Sequence, residues 1–243
     1  MKYIWVNRMT KSILKVNNLK AGYGESLVLQ GINMDIQASE IVGVIGRNGV
    51  GKTTFLKCLI GIIHARSGQI ELDGLEVSGM PSHAIAELGV GYVPQGRGVF
   101  PRMTVAENLV VGELIGGKNT KKQPELVYEY FPILAKRRNQ LAGTMSGGEQ
   151  QQLAIGRVLN GNPKLMLLDE PSEGIQPSIV QLISYVLKKI KNDLGTTIVF
   201  VEQNLDTILA LAERCYVMEK GFMIDKIESG QVNKDSVRKH LLI

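Results

Sequence analysis

Ile41-Val42-Gly43-Val44-Ile45-Gly46-Arg47-Asn48-Gly49-Val50-Gly51-Lys52-Thr53-Thr54 is the stretch on which the reading of this chain turns. Its first five residues form a continuous apolar, largely β-branched run, the composition of a strand buried on both faces. Gly46 to Thr53 then matches the pattern G-x-x-x-x-G-K-[ST], and a helical stretch runs from Lys52 to about Ile62. Glycines let such a loop curl until successive N–H groups face one point, where they can cradle phosphate oxygens. The following helix adds the partial positive charge of its N-terminus. Lys52 is placed to meet the β- and γ-phosphates as a point charge, and the Thr53 hydroxyl to complete a Mg²⁺ shell. Gly46, Arg47, Asn48, Gly49, Val50, Gly51, Lys52, Thr53 and Thr54 are therefore the candidate phosphate-binding residues.

A phosphate loop needs an apolar strand ending in an acid, and Leu165-Met166-Leu167-Leu168-Asp169-Glu170 supplies one. Asp169, at the strand's carboxyl end, is placed to hold Mg²⁺ through water. Glu170 can orient and polarise the water that attacks the γ-phosphate. Together the two motifs specify a nucleotide triphosphatase. A guanine-reading Asn-Lys-x-Asp element is not evident, because Asn233-Lys234-Asp235 lacks the spacer.

Working outward, apolar strands at Leu165 to Leu168 and Thr197 to Val201 flank a helical pattern from Ser178 to Lys191. Strands interleaved with helices predict an α/β fold, a P-loop NTPase core with a parallel central sheet. Earlier strands at Ile13 to Val16, Leu29 to Ile36 and Gln69 to Leu72 lack intervening helices and predict an antiparallel β flank. From about residue 96 to 160 the pattern is mostly helical, broken at Gly116-Gly117 and at Pro132, which predicts an inserted helical subdomain. Residues 1–11 read as an extension, with Met9 an alternative start, and 12–243 as one domain.

Charged residues make up 21% and hydrophobic residues 44%, values of a globular chain rather than a disordered one. The net charge of +5 comes from scattered Lys and Arg with no aromatic-interleaved stripe, so no nucleic-acid partner is expected. No apolar run reaches the roughly 18 residues of a membrane span, and Met1 to Thr10 is too polar for a signal peptide. The expected location is the cytosol, with membrane association only through a partner. Cys58 and Cys215 read as buried free thiols, and His64, His83 and His240 show no metal-ligand spacing.

Met145-Ser146-Gly147-Gly148-Glu149-Gln150-Gln151, between the two nucleotide motifs, narrows the class. Ser146-Gly147-Gly148 precedes a helical stretch from Glu149 to Asn160, which offers a hydroxyl and N–H groups at a second helix N-terminus. This segment resembles the signature of the ABC transporter ATPases, usually Leu-Ser-Gly-Gly-Gln, and the resemblance runs from about Ile13 to Met223. It implies ATP and Mg²⁺ as ligands and makes Tyr23, in Gly22-Tyr23-Gly24, the aromatic that stacks on adenine. Gln95, in Tyr92-Val93-Pro94-Gln95, is similar to the family's Mg²⁺-sensing glutamine, and Ser172 to Pro177 occupies its D-loop. It further implies a head-to-tail pair in which Ser146, Gly147, Gly148 and Glu149 close on ATP held by the partner. Two positions depart from the pattern: Glu149 stands where the signature has Gln, and Gln203, in Val201-Glu202-Gln203-Asn204, replaces the switch histidine. Gln203 can still donate to a γ-phosphate oxygen but cannot carry charge. Catalysis is thus expected from Glu170 and Lys52, with Gln203 as an uncharged contact.

These departures, with Gly96-Arg97 and Ser172-Glu173-Gly174-Ile175-Gln176-Pro177, look like the importer branch for branched-chain amino acids, short amides and urea. Gly46 to Lys52, Leu56-Lys57-Cys58-Leu59 and Gly91 to Arg97 are most similar to its urea-type subunit, so urea is the expected solute. Branched-chain amino acids or short-chain amides are the alternative. The resemblance implies a second, paralogous ATPase as partner in a heterodimer, two membrane permease subunits and, indirectly, a solute-binding protein. Gly96 to Leu109 is the expected docking segment for the permease, with Phe100, Pro101 and Met103 either contacts there or subdomain core. ABC ATPases of DNA repair or translation would carry long insertions or two cassettes, for which this chain has no room.

Overall fold

The computed structural model describes residues 12–115 and 123–241. The extension over 1–11 and the break at Gly116-Gly117 lie outside the described residues. Strands β1 (Ser12–Tyr23), β2 (Ser26–Gln37), β4 (Ser67–Leu72) and β5 (Leu75–Glu76) form an antiparallel sheet in the order β2-β1-β4-β5. A second sheet has the order β10-β9-β3-β8-β7-β6, built from β3 (Ile41–Ile45), β6 (Val90–Val93), β7 (Leu165–Asp169), β8 (Thr197–Glu202), β9 (Arg214–Glu219) and β10 (Phe222–Ile227). Within it β9, β3, β8, β7 and β6 pair in parallel, and β10 adds an antiparallel edge. The α/β fold with a parallel sheet and an antiparallel flank is thus as the sequence predicts.

Period-two patterning splits the core between the two faces of the parallel sheet. From β3, Val42 and Val44 join a cluster with Leu19, Leu29, Ile32 and Phe55, beneath the antiparallel sheet and helix α1 (Lys52–Leu59). Ile41 and Ile45 face the other way, into a cluster with Leu109, Val127, Leu134, Leu153, Phe200 and Leu187. That second cluster is continuous with the core of the helical segment, α3 (Val105–Val111), α4 (Pro124–Tyr130), α5 (Pro132–Lys136) and α6 (Gly147–Asn160). Helix α7 (Pro177–Leu194) and helix α8 (Leu205–Leu211) complete this face, joined by Val237 of α9 (Lys234–Leu241), while α2 (Ser82–Glu87) adds Ile85 to the first cluster.

Local signals explain the boundaries. Thr104 caps α3 and Ser146 caps α6, each in a reciprocal box with the glutamate three residues on. Pro132 separates α4 from α5. Helix α1 ends at Leu59 rather than near Ile62, because Gly61 adopts φ +69 and turns the chain. Helix α7 runs past Lys191 to Leu194, where left-handed Gly195 stops it. The two sheets are fastened by Arg214, whose guanidinium pairs with Glu40 at 2.6 Å and donates to the Asp35 carbonyl at 3.0 Å.

Candidate active site

The carboxyl ends of β3, β8 and β7 lie side by side, and the loops leaving them build the site. Between β3 and α1 the chain turns over Gly46 to Gly51. Gly51, the residue before the helix, sits at φ +113, and a Cβ on Gly46 would lie 2.4 Å from the Met218 carbonyl oxygen. Both positions therefore exclude a side chain. Asn48, Gly49, Gly51, Lys52, Thr53, Thr54, Gln95 and Glu170 line one cavity of about 430 Å³, together with Val28 and Glu173. Gly46 starts the loop without lining the cavity, and Arg47 and Val50 face a smaller cavity on the loop's other side.

Lys52 is almost fully buried, and its Nζ donates to the carbonyls of Gly46 at 2.8 Å and Arg47 at 3.0 Å. The same ammonium lies 3.4 Å from Glu170 Oε1, and Gln95 Nε2 donates to Glu170 Oε2 at 3.5 Å. Asp169, 1% exposed, sits deeper: Thr53 Oγ1 donates to its Oδ1 at 2.9 Å and the Tyr92 hydroxyl to its Oδ2 at 3.0 Å. Burial raises Asp169 above the usual carboxylate range, and the two hydroxyl donors oppose that rise. Burial raises Glu170 too, against the pull of Lys52, with the charges of Glu202 and Glu173 adding to the rise. A glutamate held above its ordinary value is a stronger base towards water. Tyr92 is pushed up by burial and by Asp169, so it stays a hydroxyl donor.

The donor set can take a divalent cation only in company. One hydroxyl, one buried carboxylate and one amide (Thr53, Asp169, Gln95) carry a single negative charge, so Mg²⁺ would need phosphate oxygens and water to fill its octahedron. That donor set fits a metal brought in with a nucleoside triphosphate.

The remaining candidates stand apart from this cavity. Tyr23, 52% exposed, ends β1 on a hairpin whose Gly24, Glu25 and Ser26 carbonyls all accept from the Arg66 guanidinium. Ser146 to Glu149 open α6 in the helical segment. Glu149 is engaged within the chain, accepting from Ser146 N at 2.9 Å and pairing with Arg137 at 2.9 Å. A Cβ on Gly147 would lie 2.7 Å from Arg97 Nη2, and one on Gly148 2.9 Å from Ile179. A side chain at Gly148 would have to displace Ile179, whereas one at Gly147 meets only the guanidinium end of Arg97. Gln203, beyond β8, is exposed and does not line the cavity. Phe100, Pro101 and Met103 are surface residues rather than subdomain core: Phe100 is 42% exposed beneath the Arg157 guanidinium, and buried Asn108 holds their loop through Phe100 N and the carbonyls of Phe100, Met103 and Thr104. Tyr92, Val28 and Arg66 have no site role in the motif pattern, and Glu173 enters it only as part of the D-loop segment; their tertiary neighbours reveal the rest.

With this geometry in hand, comparison with known proteins settles the class. Residues 29–173 match the ABC transporter family, and the chain belongs to that family. It is 44% identical, over 87% of its length and 91% of the relative's, to the high-affinity branched-chain amino acid transport ATP-binding protein BraG of Pseudomonas aeruginosa. It is 35% identical to the probable branched-chain amino acid transport ATP-binding protein LivF of Archaeoglobus fulgidus, over 86% of this chain and 89% of that one. The lipopolysaccharide export system ATP-binding protein LptB of Haemophilus influenzae is 33% identical over 96% of this chain and 97% of its own. Among solved structures, a nucleotide-free ATP-binding cassette from an ABC transporter superposes with a TM-score of 0.82 at 25% identity, covering 95% of both chains. The protein is an ABC-type ATPase, a transporter's ATP-binding subunit that binds and hydrolyses ATP. No helix among the described residues is long and apolar enough to cross a membrane.

Proposed function

We propose that this chain is an ATP-hydrolysing subunit of an importer for branched-chain amino acids or short-chain amides. The observation that carries the solute is the 44% identity to a branched-chain amino acid cassette across 87% of the chain. The relatives favour this alternative over urea, the solute that the loop motifs alone suggest. The cassette sits at the cytoplasmic membrane face, held by two permease subunits, with a paralogous cassette as its partner and a solute-binding protein acting outside.

In the mechanism we propose, Gly46 to Thr54 wrap the phosphates, and Lys52 exchanges Glu170 for the γ-phosphate. Thr53, Asp169 and Gln95 would hold Mg²⁺, which would supply charge neutralisation at the phosphates. Glu170, released from Lys52 and 3.5 Å from Gln95, polarises the attacking water. Tyr23 stacks on adenine from its hairpin. Ser146, whose hydroxyl accepts from Glu149 N, and the N–H groups of Gly147 and Gly148 meet the partner's ATP, while Glu149 fixes the cap. Gln203 contacts the γ-phosphate once the pair closes. The exposed loop bearing Phe100 and Met103 receives the permease.

The test is uptake of labelled leucine and labelled urea by cells lacking the gene, complemented with wild type, Lys52→Ala or Glu170→Gln. Leucine uptake restored by wild type alone supports the proposal. Urea restored instead overturns the solute, and neither restored overturns the transport role. Activity retained in Glu170→Gln but lost in Gln203→Ala would reverse the catalytic assignment.

A further inference from the structure

Glu202 is the last residue of β8 and only 2% exposed. β8 lies between β3 and β7, with Ile45 opposite Glu202 and Asp169 opposite Val201. The end of β8 therefore stands between the phosphate loop and the acid pair. Glu202 reaches both sides. Its main-chain oxygen accepts from Gly46 N at 3.4 Å. Its carboxylate uses the two oxygens for different loops: Oε1 accepts from Ser172 N at 3.2 Å and from the Ser172 hydroxyl. Oε2 accepts from the main-chain N–H groups of Gln203 at 2.9 Å and Asn204 at 3.0 Å.

What these bonds hold is a strained residue. Glu170 has φ +46, a conformation that non-glycine residues keep only where their surroundings impose it. Its N–H donates to the Val201 carbonyl at 3.1 Å, and two residues later Ser172 is fixed to Glu202. Both restraints come from the last two residues of β8. The other oxygen of the same carboxylate sets the backbone at Gln203.

We propose that Glu202 is a positioning residue, fixing Glu170 and Gln203 relative to one another and to the phosphate loop by tying together the two loops that carry them. It rests on the reading of Glu170 as the group that activates water. An acceptor-only group is required, because every hydrogen-bonding partner of the carboxylate is an N–H or O–H donor; an amide would turn its own NH₂ against one of them. The motif pattern gives this position no duty, and the same carboxylate accounts for two features at once, the strained base and the switch backbone.

The experiment uses the assembled transporter carrying Glu202→Gln, Ser172→Ala, both together, or Glu170→Gln as reference. ATP affinity, KM, kcat per ATP-binding site and thermal midpoint are measured for each. Because misplacing a reacting group by about an ångström costs on the order of a hundredfold, Glu202→Gln should lower kcat by about that factor with KM for ATP shifted less than about twofold. Ser172→Ala should lower kcat by about tenfold, and the double variant should fall no further than Glu202→Gln, as expected of two ends of one contact. A role in folding alone would lower the midpoint and the number of binding sites but leave kcat per site unchanged, and that result overturns the proposal. So do independent, multiplying effects in the double variant. Should Glu202→Gln fail to fold, Ser172→Ala decides, and an unchanged kcat in it refutes the tie. If Glu202→Gln is inert while Glu170→Gln abolishes turnover, only this inference falls; if Glu170→Gln turns over normally, the base reading falls and takes the inference with it.

Discussion

Replacing Tyr92 by phenylalanine isolates one bond at the centre of the site. The hydroxyl donates to Asp169 Oδ2 at 3.0 Å, and Asp169 is 1% exposed. Without it the carboxylate keeps, among the described residues, Thr53 on Oδ1 as its side-chain donor. Phenylalanine leaves the ring and its packing in place, so no cavity term is added. A hydrogen bond to a charged, buried acceptor contributes about 1.5–3 kcal/mol, which puts the cost near 2 kcal/mol. For a domain of this size that corresponds to a fall in Tm of roughly 4–8 °C. The assay is reversible guanidinium unfolding followed by far-UV circular dichroism, without nucleotide or Mg²⁺, across a pH series. Burial already raises Asp169 in the folded state, and losing the Tyr92 donor raises it further. The folded protein then binds more protons than the unfolded chain between the ordinary carboxylate value and the raised one. Stability in that window falls as pH rises, and does so over a wider range in the variant. The deficit is therefore largest at neutral pH and shrinks in acid, where Asp169 is neutral and needs no donor. A neutral-pH deficit below about 0.5 kcal/mol, the scale of ordinary surface changes, would refute the reasoning, as would a deficit that grows in acid.

Arg66→Ala frees the carbonyls of Gly24, Glu25 and Ser26, and with them the hairpin bearing Tyr23. The expected result is about a fivefold rise in KM for ATP, equivalent to ~1 kcal/mol, with kcat at saturation unchanged; a fall in kcat alone would contradict it. Phe100→Asp puts a charge on the exposed docking loop and should leave ATP turnover of the purified chain intact while abolishing co-purification with the permease. Retained co-purification would return Phe100 to a purely local role. Burial pushes the thiols of Cys58 and Cys215 up to about 12, so a colorimetric thiol reagent at pH 8 should find neither until the chain is unfolded. Because the folded state keeps those protons to higher pH than the unfolded one, stability should fall as pH rises above about 9, and a flat alkaline limb would count against it.

The parts of the site legible in the sequence are those whose chemistry is local. Gly46 to Thr53 announces its shape by spacing, and Asp169-Glu170 by an apolar strand ending in acids. In the sequence Tyr92 stands only as a neighbour of Gln95, since the acid it serves is 77 residues away. Arg66 is 42 residues from Gly24, and Glu202 is 30 from Ser172, distances that a reading by motif does not span. Phe100 and Met103 could be placed in core or on surface from sequence alone. Buried Asn108 decides it by taking the loop's polar groups and turning the apolar side chains outward. The sheet order was equally hidden: an alternating pattern predicts parallel strands, but not that β8 inserts between β3 and β7.

That insertion has a consequence for how the protein is made. β3 and its phosphate loop leave the ribosome early, near residue 45, and β7 follows near residue 165, yet the strand that pairs with both ends at Glu202. During most of translation the two halves of the ATP site are therefore unjoined, each with an open, strongly apolar strand edge. Until β8 arrives, Asp169 and Glu170 lack the strand that sets them beside the phosphate loop. The completed site appears only when β8 slots in. ATP binding is thus a report that β8 has joined β3 to β7, and until then those open edges are exposed to pairing elsewhere.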